Sequence, residues 1–254
     1  TTGTMLVHAG SNPYLTHTHL LSKILVNDRS VIFFFPYRSD TQVNTASTRR
    51  TRRKAARPAE LLAAATRLFV AKGYAATRVE EVAALANVSK GTLFLYYPSK
   101  EALLKAVVRE NIAGRFAEWQ AELESFTGST ADLVRYAFAV WLERIANSEA
   151  GGIYKLMTSE CCNFPELASF YLQEVIYPGQ ALVRRILERG IARGEFRPID
   201  LDAGVHLIMT PMFSYIQWRH SMGVHYPESL GISDTAYFDI HVDNLLRGLA
   251  ALSA

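Results

Sequence analysis

The sequence predicts an all-α protein, with a small N-terminal three-helix unit that holds a helix-turn-helix and a larger helical domain behind it. Three observations carry this expectation. From Pro58 onward apolar residues recur at helical spacing, with almost no alternating, strand-like stretch. The breaks fall on turn residues, at Gly128, Gly151-Gly152, Pro165, Gly194 to Pro198 and Gly223 to Gly231. Basic charge is gathered in one place: residues 49–105 hold 12 Lys or Arg against 4 Asp or Glu, whereas 106–254 hold 12 against 18. A basic segment joined to an acidic body suggests that the first part meets a polyanion.

Composition narrows the class further. A chain of 254 residues that is 49% hydrophobic can bury a core. Its longest apolar runs, such as Val31 to Phe35, are far shorter than the roughly 18 residues of a membrane span. No membrane partner is expected. The two cysteines, Cys161 and Cys162, are adjacent, which is no disulfide framework and suits a reducing cytoplasm, and no secretory signal opens the chain. Residues 1–48 lack a helical period and are read as a poorly ordered extension with one β-prone stretch, Ser30 to Phe35.

The elements follow in order. Leu61, Ala65, Leu68 and Phe69 make one helical face, with Pro58 suited to a first turn and Gly73 to a C-terminal cap. Thr77 followed by Glu80 has capping-box spacing, and Val79, Val82, Ala83 and Ala86 form a stripe about two turns long. Asn87 suits a left-handed turn, Ser89 a cap, and Lys90 to Tyr97 a third short helix stopped by Pro98. Ser99 then caps a long helix expected to run to about 124. Further helices are expected at 130–147, 150–160, 165–194, 201–222 and 234–252, with kinks at Pro178 and Pro211. The domains are thus an extension at 1–48, a basic arm and helix-turn-helix at 49–104, and a ligand-binding and dimerisation domain at 105–254.

In a helix-turn-helix the second helix enters the major groove, and its first residues reach bases and phosphates. Here these are Ser89, Lys90, Gly91 and Thr92: glycine lets the backbone approach, and threonine offers a hydroxyl and a methyl. Just before the first helix stand Arg49, Arg50, Arg52, Arg53, Lys54 and Arg57, with no acid among them. Such an arm can lie along phosphates or reach an adjacent minor groove.

The run from Gly73 to Leu104, GYAATRVEEVAALANVSKGTLFLYYPSKEALL, closely resembles the DNA-binding signature of the tetracycline-repressor (TetR) family. The match covers about fifty residues from 57. The resemblance implies that Lys90, Gly91, Thr92, Phe94 and Tyr96 face the operator, with Thr77 and Lys100 on phosphates. It implies also an all-helical homodimer with a ligand cavity in its C-terminal domain. Phe94 stands where the family usually has a phosphate-binding tyrosine. Arg78 stands where a small hydroxyl residue is common, which leaves the capping of the second helix to Thr77.

The C-terminal part is rich in large, soft and aromatic side chains. Phe116, Trp119, Trp141, Met157, Cys161, Phe170, Tyr171, Tyr177, Met209 and Phe213 are candidates for a pocket that takes an apolar or aromatic effector, with His206 as a polar anchor. Most residues of this kind are core. Adjacent cysteines on a helix bridge each other poorly, so packing is the expected role of Cys161 and Cys162. The helices 201–222 and 234–252 carry more apolar surface than one domain needs, which suggests a two-fold four-helix interface with a second copy. A continuous helix from Ser99 to about 124 would act as a lever between pocket and DNA.

These readings converge on a ligand-responsive regulator, a repressor released from a palindromic operator by a small molecule and acting in the cytoplasm. Neither a cofactor nor a bound metal is called for, and no nucleophile with its base, metal-ligand cluster or phosphate loop stands out. Two other readings stay open. One is a non-specific or architectural DNA binder, marked by an affinity indifferent to sequence; the other is a helical enzyme, marked by turnover.

Overall fold

The computed structural model describes residues 45–227, 231 and 233–251, with side chains from Arg57 onward. The expectations for 1–44, including the β-prone stretch at 30–35, lie outside the described residues, as do the side chains of Arg52 and Arg53. From Thr45 the chain forms one compact unit. Among the described residues all regular structure is helical apart from a single bridge between Phe196 and Ala250.

The first helix, α1 (Thr45–Lys72), begins well before Pro58 and carries that proline in its interior. The basic run is therefore helical rather than an arm, and 45–48 are helical too. Arginine, lysine and alanine are strong helix formers, and the helix carries Pro58 despite its missing N–H and the crowding of its ring against the carbonyl four residues earlier. Gly73 ends α1 at φ +85°, the left-handed conformation that glycine alone adopts freely.

Two short helices follow, α2 (Val79–Leu85) and α3 (Lys90–Tyr96), joined through Asn87 at φ 53°. Ser89 caps α3, its Oγ accepting from Thr92 N at 3.1 Å, as its position suggested. The cap of α2 differs from expectation. Arg78 is the N-cap, and its backbone N–H donates to the Glu81 carboxylate at 3.3 Å, while the Thr77 hydroxyl turns inward. The box is thus one residue later than the Thr77–Glu80 spacing suggested.

Ser99 caps α4 (Lys100–Asn111) through Ala102 N at 3.0 Å. The expected helix to about 124 is broken. At Ile112 the backbone leaves helical geometry (φ −132°, ψ −67°), Ala113–Arg115 form a 3-10 turn, and α5 (Phe116–Ser125) starts afresh. Two causes are local. The Asn111 side-chain amide donates to Val107 O at 2.8 Å, competing with the helix's own bonds, and a Cβ at Gly114 would stand 2.9 Å from Arg109 O.

The remaining helices are α6 (Thr130–Trp141), α7 (Glu149–Glu160), α8 (Pro165–Tyr171), α9 (Tyr177–Ala192), α10 (Leu201–Arg219) and α11 (Asp234–Leu249). Two π-helical turns, Leu142–Ala146 and Leu172–Ile176, extend α6 and join α8 to α9. The second stands just before Pro178, whose ring cannot donate into the ladder.

Two apolar cores hold these helices. The first gathers Leu61 and Phe69 of α1, Val82 of α2, Leu93 of α3 and Leu103 to Val108 of α4. It then runs past residue 104, taking in Ile153 and Met157 of α7, Leu167 and Phe170 of α8 and Ile216 of α10. The second joins Leu133 and Phe138 of α6, Leu187 of α9, Val205 and Ile208 of α10, and Phe238, Val242, Leu246 and Leu249 of α11. The helices α1 and α4, which flank α2 and α3, are therefore packed directly on α7, and α4 also on α8.

Candidate functional site

Two sites stand at opposite ends of a chain of contacts. The first is the surface of α3. Leu93, fully buried, anchors this helix to the core and turns Lys90, Gly91, Phe94 and Leu95 outward. Leu95 is 78% exposed and was not singled out by its sequence, where it sits in an apolar run with Leu93. Thr92 is half-buried, its hydroxyl 2.9 Å from that of Ser89. Tyr96 packs partly against the first core. A Cβ at Gly91 would meet only Ser89 Oγ, at 3.9 Å, so nothing inside the fold requires glycine there.

Charge at this surface is already partnered. Lys90 Nζ lies 2.6 Å from Glu80 Oε1 and 5.8 Å from the Phe94 ring centroid. The hydrogen bond from Lys90 holds the Glu80 carboxyl below its ordinary range. Arg78 is exposed beside it.

Thr77 and Lys100, expected near phosphates, do structural work. Thr77 is 1% exposed and donates to Gly73 O at 2.7 Å and Leu68 O at 3.2 Å. Lys100 Nζ donates to Thr77 O at 2.9 Å and Ala75 O at 3.1 Å, over the face of Tyr74. Burial pushes its ammonium below the usual lysine value. Both side chains brace the α1–α2 loop. From the other side Glu160, at the end of α7, accepts from Tyr74 N at 2.9 Å and Ala75 N at 3.3 Å.

The second site is an apolar cavity of about 190 Å³ between α5, α6, α9 and α10. Of the expected pocket residues, Phe116, Trp119, Trp141, Met209 and Phe213 do line it. The others fall elsewhere. Met157, Phe170 and Tyr171 are buried in the first core, Phe170 beneath Lys105 and Arg109. Cys161 packs beside that core, its thiol pushed up mainly by burial; Tyr177 is 55% exposed and His206 faces outward. Helical spacing alone gave these residues no means of distinction, because core and cavity walls share one signal.

Missing from the expected set were Tyr136, Ala137 and Val140 of α6, and Val175, Ile176, Gly179, Leu182, Val183 and Ile186 along the α8–α9 segment. The spacing from Gly179 to Ile186 was a usable sign, since a glycine beside Pro178 opens space on that face. A Cβ at Gly179 would find only ordinary contacts, with Met209 at 3.5 Å and Phe116 at 3.9 Å.

Two polar side chains of the wall, Glu122 and Tyr136, meet each other. Glu122 accepts from Arg144 Nη1 at 2.9 Å and from the Tyr136 hydroxyl at 3.1 Å, and the arginine keeps its carboxyl ionised below the ordinary range. The cavity is also linked through its wall to α4 and α7. Its walls Val175 and Ile176 sit on the π-turn whose Glu174 grips Arg109 of α4, and its wall Phe213 stacks on Tyr154 of α7 at 4.9 Å. Among the described residues no cluster of His, Cys, Asp or Glu has metal-binding geometry, and no helix is long and apolar enough to cross a membrane.

Comparison with known proteins agrees with this division of labour. Residues 61–107 match the model for bacterial regulatory proteins of the tetR family, and 127–229 match a tetracyclin repressor-like C-terminal domain, together more than half of the chain. The repressor KstR2 of Mycolicibacterium smegmatis is 27% identical over 179 residues, covering 70% of this chain and 86% of that protein. The regulator EthR of the same organism is 29% identical over 177 residues, covering 65% and 81%. Among solved structures, FadR of Bacillus subtilis in complex with stearoyl-CoA superposes with a TM-score of 0.61 at 18% identity, over 75% of this chain and 98% of that one. A tetR-family regulator from Rhodococcus does so with a TM-score of 0.61 at 22% identity, over 78% and 98%. At these identities the solved structures speak for the fold.

Proposed function

Because the chain belongs to the TetR family of DNA-binding transcriptional regulators, we propose that it is a repressor whose α3 reads a palindromic operator and whose cavity takes the releasing molecule. Regulators of this family bind operator DNA and act as dimers with small-molecule effectors. The observation that carries the proposal is the placement of one apolar cavity against the π-turn that grips α4, the helix that follows α3. Lys90, Gly91, Thr92 and Phe94 are the residues proposed to face the groove, with Arg78, Ser89 and Tyr96 beside them, Arg52 and Arg53 toward the phosphates, and Thr77 and Lys100 bracing the α1–α2 loop rather than touching DNA. The protein would act in the cytoplasm, where its operator lies.

Dimerisation is assigned to α10 and α11. Along α10, Ala203, Leu207, Thr210, Ser214 and Trp218 form one exposed stripe in which small residues let a second helix approach, and Ile240 is 57% exposed on α11. Two α3 helices in such a dimer must meet half-sites about 34–36 Å apart, so a shift of a few ångströms in either prevents both from fitting. A molecule favouring the shifted form would therefore release DNA, provided it binds that form more tightly.

The test is selection of bound sites from random DNA, followed by anisotropy titrations of labelled site and scrambled duplex. Preference for the selected site by at least about a thousandfold is expected. Equal affinity for both duplexes would make the protein a non-specific binder.

A further inference from the structure

Leu95 is the side chain of α3 that the fold uses least. On a helix that turns about 100° per residue, it lies about 200° round from the fully buried Leu93 and within about 40° of Gly91, one turn earlier. Its 78% exposure follows from that register. Helical side chains lean toward the N-terminus, so the isobutyl group projects over the turn that Gly91 leaves bare, where a Cβ would meet only Ser89 Oγ at 3.9 Å. The neighbouring side chains are already engaged. Lys90 is paired with Glu80 and lies over the ring of Phe94, the Thr92 hydroxyl is 2.9 Å from that of Ser89, and Tyr96 packs partly against the first core. A single exposed leucine is ordinary on a protein surface. This one occupies, with Gly91, a face of α3 that carries no hydrogen-bonding side chain.

We propose that Leu95 is a base-reading residue, which packs on the C5 methyl group of one thymine in each operator half-site and so separates thymine from cytosine without a hydrogen bond. This rests on α3 being the helix that reads the operator. The occupant of the face is DNA, because the face continues the surface by which regulators of this family meet their operators. In the major groove the base pairs differ in their hydrogen-bonding groups and in one apolar group, the thymine methyl. Leucine has no donor or acceptor, so the methyl is the feature it can read. Set against the cytosine amino group instead, it would strip water from a donor and return no partner, which penalises that base. Gly91 assists by letting α3 sit close, and Leu95 follows about 6 Å further along the helix.

The test replaces each thymine of a selected operator by uracil, one position at a time in both half-sites, which removes the C5 methyl and nothing else. Anisotropy titrations compare the intact protein with Leu95→Ala. In the native protein one thymine position is expected to lose about fourfold per half-site on this change, the worth of burying one methyl-sized group. Leu95→Ala is expected to bind the thymine and uracil duplexes alike at that position and to keep the native response at every other thymine. The variant should fold, since the side chain is exposed and alanine favours a helix, and its melting temperature checks this. Thr92→Ser removes the other methyl group near this face and is expected to leave the same uracil effect in place. No uracil effect in the native protein, an effect that Leu95→Ala leaves unaltered, or one that Thr92→Ser erases would overturn the role of Leu95 while specific binding stood. Failure to select any preferred site would remove α3 as the operator reader, and this proposal with it.

Discussion

Arg109 of α4 and Glu174 of the π-turn Leu172–Ile176 form a two-pronged ion pair, Nε to Oε2 at 2.7 Å and Nη2 to Oε1 at 2.5 Å. The break at Ile112 means that α4 and the cavity helix α5 are not one rigid rod. The contact between the cavity wall and α4 is instead sideways, through this pair on the turn that carries the wall residues Val175 and Ile176, and it is the proposed path of the signal. Glu174→Gln is therefore expected to leave effector-free operator affinity within about twofold and to weaken effector-induced release severalfold. Anisotropy with and without effector measures both. Unaltered release would place the coupling elsewhere, with Tyr154 and Glu160 of α7 the alternative route.

Gly91 is expected to separate folding from recognition. In the free protein a methyl group there meets only Ser89 Oγ at 3.9 Å, and alanine is favoured over glycine inside a helix by about 1 kcal/mol or less. Gly91→Ala should raise the melting temperature slightly yet weaken operator binding at least tenfold, because DNA backbone would occupy that space. Unchanged operator affinity would show that α3 does not approach DNA at this point.

If Lys90 meets DNA as proposed, Glu80 competes for it. Since the two are paired at 2.6 Å on the surface, binding a phosphate or base through Lys90 must first exchange that partner. Glu80→Gln should tighten both specific and non-specific binding by a few-fold at low salt, and steepen the salt dependence. A variant that binds DNA less well would mean that Glu80 orients Lys90 rather than withholding it.

Thr77 and Lys100 show how far a sequence resemblance reaches. Their positions were legible from the motif, but not that the hydroxyl of one and the ammonium of the other are spent on backbone carbonyls of the α1–α2 loop. Thr77→Val should cost about 1–3 kcal/mol, from two carbonyls left with fewer donors, and lower the melting temperature by several degrees without altering the ratio of operator to random DNA binding. The caps at Ser89 and Ser99 and the left-handed Asn87 were legible because capping is written within three or four residues. The cavity was not, since whether Phe116 or Phe170 faces open space depends on how α5, α6, α9 and α10 diverge, which no local spacing records. The break after α4 was hidden for a similar reason: apolar periodicity continues through Ile112 and Phe116 while Asn111 and Gly114 redirect the backbone.

The dimer surface carries a sharper test than apolar content alone allowed. Leu249 is 5% exposed within a single chain, so replacing it by Glu would unfold the protomer rather than separate two of them. Leu207, at 64% exposed, is the informative position. Leu207→Glu should halve the mass seen by light scattering at micromolar concentration while preserving helical content. A mass of one chain in the native protein, or a dimer indifferent to this change, would remove α10 from the interface.

Two half-buried histidines are expected to give the stability a pH dependence. Burial holds His220, near Ala146 O, and His241, among Tyr237, Phe138 and Phe238, below the usual imidazole value of 6.5. The fold thus prefers the neutral rings, and below about 6.5 the unfolded chain binds more protons than the folded one. Their stabilisation is present above that pH and lost as pH falls through the lowered values. Melting temperatures should decline from pH 7 to 5, and His241→Phe, which removes a buried ring nitrogen without a partner, should flatten the decline. An identical slope in the variant would remove His241 as a cause.

Effector and operator are held here to exclude one another through a shared shift of α4 and α3, and thermodynamic linkage makes that claim reciprocal. The most direct measurement is calorimetric titration of the tightest cavity-binding probe into the free protein and into its operator complex. Operator should weaken probe binding by the same factor that the probe weakens operator binding. Identical probe affinities in the two titrations would contradict the account, leaving a DNA reader and a cavity that do not communicate.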